Sequence, residues 1–449
     1  MFDFDADAQA LAERCFDYIR DRLHNRPQPT APPTPQALRE QTGVTITPEG
    51  IGSDKALDIF ANVLAPAAIP LDNPRHAALI PGAPTIASIL FDACVSASAL
   101  VAEAWIEAAG AIHAENEALA WIAGLANLPD GAGGCFINGG TAGNLSALVT
   151  ARDAHSGGRR RVACGADAHS SIGKALRVIG CEALVVPSDE RGRLTGSALR
   201  AALAADGDSG SVFAVVASAG ATNTGAIDDL AGIADVSADF NLWFHVDAAY
   251  GGAGMCAPSV RHKFEGIERC DSFIVDPHKW LFGPLDCCAL LYRQPERAFE
   301  VHRQSASYLD TMRVEGTTDP TDYALHLTRR ARGLPLWFSL ATHGTNAYRD
   351  AVETVLQNTQ DAVAIIRANP HLELVCEPDL GVVLFRRRGW VEADYLRWAQ
   401  ELLADGTVFV LPSQWHGETV GRFVFLHPQT SVDIFTAALR AMELQNSPS

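Results

Sequence analysis

Val275-Asp276-Pro277-His278-Lys279-Trp280 closes an apolar run that begins at Ser272. A short apolar run ending in Asp-Pro reads as a buried strand followed by a turn, because proline cannot donate to a strand ladder. Most lysines are solvated surface groups. Lys279, at the mouth of such a strand, is placed instead where an amine can be shielded from water and used as a nucleophile. Thirty-two residues upstream, Trp243-Phe244-His245-Val246-Asp247-Ala248-Ala249-Tyr250-Gly251-Gly252 repeats the arrangement, with Asp247 at the strand end.

Two strand ends, one offering an amine and the other a carboxylate, suit pyridoxal phosphate. The amine bonds the carbonyl carbon of the cofactor, and the carboxylate keeps its pyridine nitrogen protonated so that the ring acts as an electron sink. A third stretch, Asn138-Gly139-Gly140-Thr141-Ala142-Gly143-Asn144, runs from an apolar segment into a helical one. Glycines there let backbone N–H groups approach an anion at a helix N-terminus, with the Thr141 hydroxyl beside them, so this turn reads as a phosphate cradle.

From Cys135 onward, apolar runs near 135–138, 161–164, 183–187, 212–218, 242–246, 271–275 and 286–292 alternate with helix-like stretches. Such alternation predicts a mostly parallel seven-stranded α/β sheet with helices on both faces and ligands at the carboxyl ends of the strands. Residues 5–24 have helical spacing, and the prolines from Pro27 to Pro35 stop that helix. A long helix is expected from Gly333 to about Ala368. Beyond it, strands are expected at Asp379–Arg386, Thr407–Leu411 and Arg422–Leu426, with helices at Val391–Leu403 and Val432–Leu444. The expected organisation is an N-terminal helical arm with a substrate-side segment (1–90), a large cofactor-binding domain (91–340) and a small C-terminal α+β domain (341–449).

Composition narrows the function classes. The 449 residues carry 35 Lys+Arg against 53 Asp+Glu, a net charge of −18, and basic clustering is limited to short runs such as Arg159-Arg160-Arg161. Nucleic acid is therefore not an expected partner. The ten cysteines show no C-x-x-C spacing, so neither a metal site nor a disulfide framework is expected, which suits a reducing cytoplasm. The N-terminus is acidic, without the basic start of a signal peptide. The apolar stretch Ala83–Ile112 contains Asp92, Glu103 and Glu107, so it reads as core helices rather than a membrane span.

The runs His245–Gly252 and Asp276–Trp280 resemble those of the group II pyridoxal-phosphate-dependent amino-acid decarboxylases, the family of the aromatic-L-amino-acid and glutamate decarboxylases. The likeness extends from about Pro27 to about Thr430. It implies a fold-type-I, aspartate-aminotransferase-like homodimer whose N-terminal segment folds over the partner subunit. The resemblance implies cofactor contacts from Gly140, Thr141, Asn144, His169, Thr222, Asp247, Ala249, Asp276, His278 and Lys279. In it His169, within Ala168-His169-Ser170-Ser171, stacks on one face of the pyridine ring with Ala249 near the other. Thr222, in a turn whose chemistry also predicts Asp228 or Asp229 as a helix N-cap, lies by the ring substituents and the substrate carboxylate. Thr321-Asp322-Tyr323 matches the protonating tyrosine of a mobile catalytic loop, although this chain is three residues shorter before Arg329-Arg330.

The segment Asn73–Gly82 matches the substrate side of the family, with Leu79 and Ile80, before Pro81, where the aromatic decarboxylases carry aromatic residues. A pocket lined by smaller aliphatic groups implies a non-aromatic substrate, since a methylene in a fitted apolar pocket is worth about 1–3 kcal/mol. Asp276 stands where animal aromatic decarboxylases have asparagine. The expected reaction is α-decarboxylation of an L-amino acid to an amine and CO₂. A decarboxylating aldehyde synthase, an aminotransferase and a catalytically silent cofactor-binding interaction protein remain as alternatives.

Overall fold

Each strand expected from Cys135 to Tyr292 is present in the computed structural model, which describes residues 2–80, 82–155, 158–304 and 307–444. They are β1 (Gly133–Ile137), β2 (Arg161–Gly165), β3 (Glu182–Val186), β4 (Val212–Ser218), β5 (Trp243–Asp247), β6 (Ser272–Val275) and β7 (Cys288–Tyr292). They form one sheet in the order β1-β7-β6-β5-β4-β2-β3. The neighbours among β2 to β6 pair in parallel, while β7 runs antiparallel to both β6 and β1.

Sequence explains this order. β4, β5 and β6 are buried along their whole length, as continuous apolar runs in the middle of a parallel sheet must be. β3 alternates less cleanly and stays largely exposed, as an edge strand does. The intervening helices start at side-chain caps that accept a first-turn N–H, Thr195 for Gly196–Ala205 and Asp229 for Leu230–Phe240. Register does the rest. Ser218 pairs with Asp247, and Asp247 with Ile274, so the strand ends that carry chemistry lie side by side along one edge.

A second sheet has four strands, β8 (Leu372–Leu374), β9 (Val382–Arg387), β10 (Ser413–Trp415) and β11 (Glu418–Val424), in the order β10-β11-β9-β8. The strands β8 and β10 are not marked by the sequence pattern, and one expected strand is missing. Thr407–Leu411 is not a strand: Phe409 makes a single bridge to His76, donating to Arg75 O and accepting from Ala77 N, and the ladder goes no further. Ahead of Thr321-Asp322-Tyr323, the part that the resemblance implies is a mobile loop, Ser307–Met312 is helical.

The long helix Leu334–Ala368 is broken at Gly344, whose backbone is non-helical. Ala83–Ile112 contributes to two helices, Ile86–Ala97 and Trp105–Leu125, and among the described residues no helix is long and apolar enough to cross a membrane.

The described chain divides into two compact units. One comprises the described parts of Met1–Leu79, Arg386–Phe423 and Gln429–Ser449, and so joins the N-terminal helices to the C-terminal elements. The other, Ile80–Phe385 with Val424–Pro428, contains the seven-stranded sheet.

Candidate active site

A cavity opens at the carboxyl edge of the large sheet. Its lining includes Gly140, Asn144, His169, Thr222, Asp247, Ala249 and Lys279, together with Ser218 and Tyr250. Seven of the residues singled out from sequence thus meet in one place. Lys279 sits in the one-turn helix Pro277–Trp280 after β6, and Asp247 is the last residue of β5.

Lys279 Nζ lies 2.9 Å from Asp276 Oδ2. Burial works against its charge, but the carboxylates of Asp276 and Asp247 outweigh it, and the Lys279 pKa is raised above the ordinary lysine value. The Asp276 side chain is 2 % exposed, and its Oδ1 makes no hydrogen bond to any described residue. His278 Nε2 is 3.7 Å from Asp276 Oδ2, while its Nδ1 is engaged with the backbone of Cys287.

Asp247 is held by a buried hydrogen-bonded chain with a fixed direction. Ala249 N–H donates to its Oδ1 at 3.2 Å, and Asn144 Nδ2 donates to its Oδ2 at 2.8 Å. A carboxylate can only accept, so Asn144 presents its amide nitrogen there and its Oδ1 to His245 Nε2 at 2.8 Å. His245 therefore carries its proton on Nε2, and its Nδ1 accepts from Ser272 Oγ at 2.9 Å. Ser272 Oγ in turn accepts from the indole N–H of Trp243, a group that can only donate. Complete burial drives the His245 pKa down to about 4 despite the charge of Asp247, so the imidazole is neutral at neutral pH.

The same Asn144 amide also donates to Ser171 Oγ at 3.0 Å. Ser171 Oγ lies 2.8 Å from His169 Nδ1, and the Ser171 backbone N–H donates to that nitrogen. Nδ1 of His169 is thus the acceptor, which leaves its proton on Nε2. Asn144 is the hub that orients both Asp247 and His169.

Two glycines let backbone segments close on the site. Gly220 has φ +108° and lies against Gly251, where a Cβ would come within 2.8 Å of the Gly251 nitrogen. Gly82 donates to His278 O, and a Cβ on it would overlap the Lys279 carbonyl oxygen at 1.6 Å. Tyr250 stacks on Trp280, with ring centroids 5.4 Å apart.

Other residues singled out from sequence lie elsewhere. Thr141 is exposed in the first turn of the helix Gly140–Ala154 and does not line the cavity. Tyr323 does not line it either. Its ring packs edge-on against Phe299 at 4.9 Å, its carbonyl accepts from Tyr292 Oη, and burial raises its phenol pKa. Leu79 is 44 % exposed and belongs to the first unit, Ile80 is buried in the second, and Pro81 lies outside the described residues. Asp228 caps no helix: its carboxylate accepts from Ser218 N and Leu194 N, and the N-cap is Asp229. Sequence reasoning passed over Gly82, Ser171 and His245. A Ser in the first turn of a helix gave no signal, and a lone histidine in an apolar run reads as core.

The residues present fit pyridoxal phosphate. The amine and the carboxylate share one cavity, the helix Gly140–Ala154 turns its N-terminus toward it, and a Cβ on Gly140 would lie 3.0 Å from Asp276 Oδ2, in space that only glycine leaves open. Among the described residues no cluster of His, Cys, Asp or Glu could hold a metal ion.

Comparison with known proteins agrees with this chemistry. Residues 35–388 match the family described as pyridoxal-dependent decarboxylase conserved domain. An aromatic-L-amino-acid decarboxylase of Bacillus atrophaeus is 32% identical over 325 residues, covering 70% of this chain and 68% of the relative. An L-2,4-diaminobutyrate decarboxylase of Rhizobium meliloti (strain 1021) is 32% identical over 374 residues, covering 80% and 74%. The crystal structure of Oryza sativa TDC with PLP and tryptamine superposes with a TM-score of 0.92 at 26% identity, over 100% of both chains. The chain is a fold-type-I enzyme that uses pyridoxal phosphate to decarboxylate an amino acid, and it belongs to the pyridoxal-dependent decarboxylase family.

Proposed function

We propose that this enzyme converts a non-aromatic L-amino acid to the corresponding amine and CO₂, with Lys279 holding the cofactor and Asp247 facing its pyridine nitrogen. The observation that carries the assignment of roles is the single cavity shared by the Lys279 amine and an Asp247 whose oxygens are already engaged by Ala249 and Asn144. When bound, pyridoxal phosphate supplies an electron sink for the pair left behind as CO₂ departs.

This chain's own residues do the positioning. Asn144 and Ala249 fix the Asp247 carboxylate, so its charge is preorganised rather than recruited during the reaction. His169, its Nδ1 tied to Ser171, presents its ring to the cavity, and we assign it one face of the cofactor with Ala249 at the other. Thr222 is assigned to the substrate carboxylate and the Gly140 helix N-terminus, with Thr141, to the phosphate. The packing of Tyr323 on Phe299 supports a structural part for this residue rather than delivery of a proton.

The aliphatic pair Leu79-Ile80 supports the non-aromatic preference, and relatives of both kinds exist, named for aromatic amino acids and for L-2,4-diaminobutyrate. We further propose a homodimer, supported by apolar side chains left exposed on the helices, among them Phe16, Ile86, Leu90 and Ile106. A reducing, cytoplasmic setting accords with ten cysteines that are all free. A panel of aromatic, aliphatic, basic and acidic L-amino acids, assayed for CO₂ and amine, tests the substrate. A higher kcat/KM for tryptophan, tyrosine or dihydroxyphenylalanine than for every non-aromatic amino acid defeats the preference. Aldehyde with ammonia, or a keto acid, in place of the amine defeats the reaction.

A further inference from the structure

Asp276 is the acidic group that the assigned roles leave unexplained. Its side chain is 2 % exposed, Lys279 Nζ meets Oδ2 at 2.9 Å, and Oδ1 has no hydrogen-bond partner among the described residues. An ionised carboxylate only accepts hydrogen bonds, and a buried oxygen left unpaired is costly. That oxygen lies near the Ile274 side chain and also beside the first turn of a helix. A Cβ placed on Gly140, the first residue of a fifteen-residue helix, would stand 3.3 Å from Oδ1 and 3.0 Å from Oδ2. The orphan oxygen therefore borders the helix N-terminus to which the phosphate is assigned above, and the inference rests on that assignment.

The charges around Asp276 do not balance once an anion arrives. In the arrangement seen here, Lys279 is its counter-ion. An ammonium has no lone pair, so Lys279 can bond a carbonyl carbon only after releasing a proton, and its charge is then no longer dedicated to Asp276. The remaining groups give little relief. His278 Nε2 is 3.7 Å away with its other nitrogen committed to Cys287. On β7, burial and then the charge of Asp276 and a hydrogen bond to it push the Cys288 thiol pKa well above its ordinary value, and burial raises the neighbouring Cys287 thiol likewise, so Cys288 offers only a weak S–H donor and neither supplies a charge. From β5 comes only another carboxylate, Asp247, near enough to act on Lys279. Two anions held together out of water are relieved when one of them binds a proton.

We propose that Asp276 takes up a proton when the cofactor binds, and that as a neutral acid it donates a hydrogen bond to the phosphate group at the Gly140 helix N-terminus. The proton leaves Lys279 Nζ or solvent and ends on the Asp276 carboxylate, and no electrons are exchanged. An asparagine at this position would donate with no proton to acquire. The aspartate instead links cofactor affinity to pH.

Titration of the cofactor-stripped protein with pyridoxal phosphate, by calorimetry in buffers of differing ionisation enthalpy near neutral pH, counts the protons. The wild type is expected to take up one proton per site more than Asp276→Asn. By linkage, its affinity relative to that variant then falls tenfold for each unit of rising pH. His278→Gln is expected to match the wild type. Equal proton numbers for wild type and Asp276→Asn overturn the proposal, and loss of the extra proton in His278→Gln moves it to the histidine and overturns it equally. If Asp276→Asn does not fold, the infrared difference spectrum of the wild type on cofactor addition decides: a protonated-carboxyl band is expected, and its absence refutes the proposal. Failure of the underlying assignment looks different, because borohydride would then leave no pyridoxyl group on Lys279 of the wild type.

Discussion

Replacing Asn144 with alanine removes the hub of the site without touching Lys279 or the cavity's backbone. The substitution deletes a 2.8 Å bond to the Asp247 carboxylate, a 3.0 Å bond to Ser171 and the acceptor for His245 Nε2–H, all buried. A hydrogen bond to a charged group contributes about 1.5–3 kcal/mol, and a buried donor left unsatisfied costs about 1–3 kcal/mol. Because the three share one amide they do not add fully, and the expected loss is about 3–5 kcal/mol. Urea unfolding followed by tryptophan fluorescence reads the loss, and Ser171→Ala, which removes only the lateral arm, is expected to cost about 1 kcal/mol. A loss below about 1 kcal/mol for Asn144→Ala would mean that the network carries no stability and that Asp247 is held by other means.

Asp247→Asn keeps the fold and the bound cofactor but lowers kcat by about 10²–10³-fold, the scale of a lost preorganised electrostatic contact, about 3–4 kcal/mol. Near-normal turnover with cofactor bound would contradict its role. Tyr323→Phe preserves the contact with Phe299, so the yield of amine and the absence of aldehyde are expected to be unchanged; oxygen-dependent aldehyde and ammonia would instead restore a proton-donating phenol. His245→Gln tests the neutral imidazole by stability against pH. His245 has a folded-state pKa of about 4 against 6.5 for the free group, so its stabilising contribution is complete above 6.5 and is lost as pH falls toward 4. The stability of the wild type should therefore fall relative to that of the variant by about 3 kcal/mol across that window, and a constant difference would show that the imidazole is already charged.

The seven strands of the large sheet were legible because buried parallel strands leave unbroken apolar runs, and the Lys279 and Asp247 pair was legible because each closes such a run. What escaped detection depends on contacts between distant residues. Nothing local in the sequence marks Gly82 as the residue that lies on the Lys279 carbonyl, or Asn144 as the partner of both His245 and Ser171. His245 was hidden by its own setting, since a histidine inside Trp243–Asp247 has the pattern of a core residue, and only the direction of the hydrogen bonds gives it a role. For Tyr323 the matched motif implies a chemical part, while the structure places the ring beside Phe299, and the Tyr323→Phe variant decides between the two. Thr407–Leu411 has the composition of a strand, but after Phe409 pairs with the Arg75–Ala77 segment no ladder remains to extend.

The central claim is that the amine of Lys279 holds the cofactor. Reducing the cofactor-loaded enzyme with borohydride, digesting it and mapping the pyridoxyl-bearing peptide tests it most directly. The label is expected on Lys279, within the peptide containing Asp276-Pro277-His278-Lys279-Trp280; a pyridoxyl group on any other lysine, with Lys279 unmodified, would contradict it.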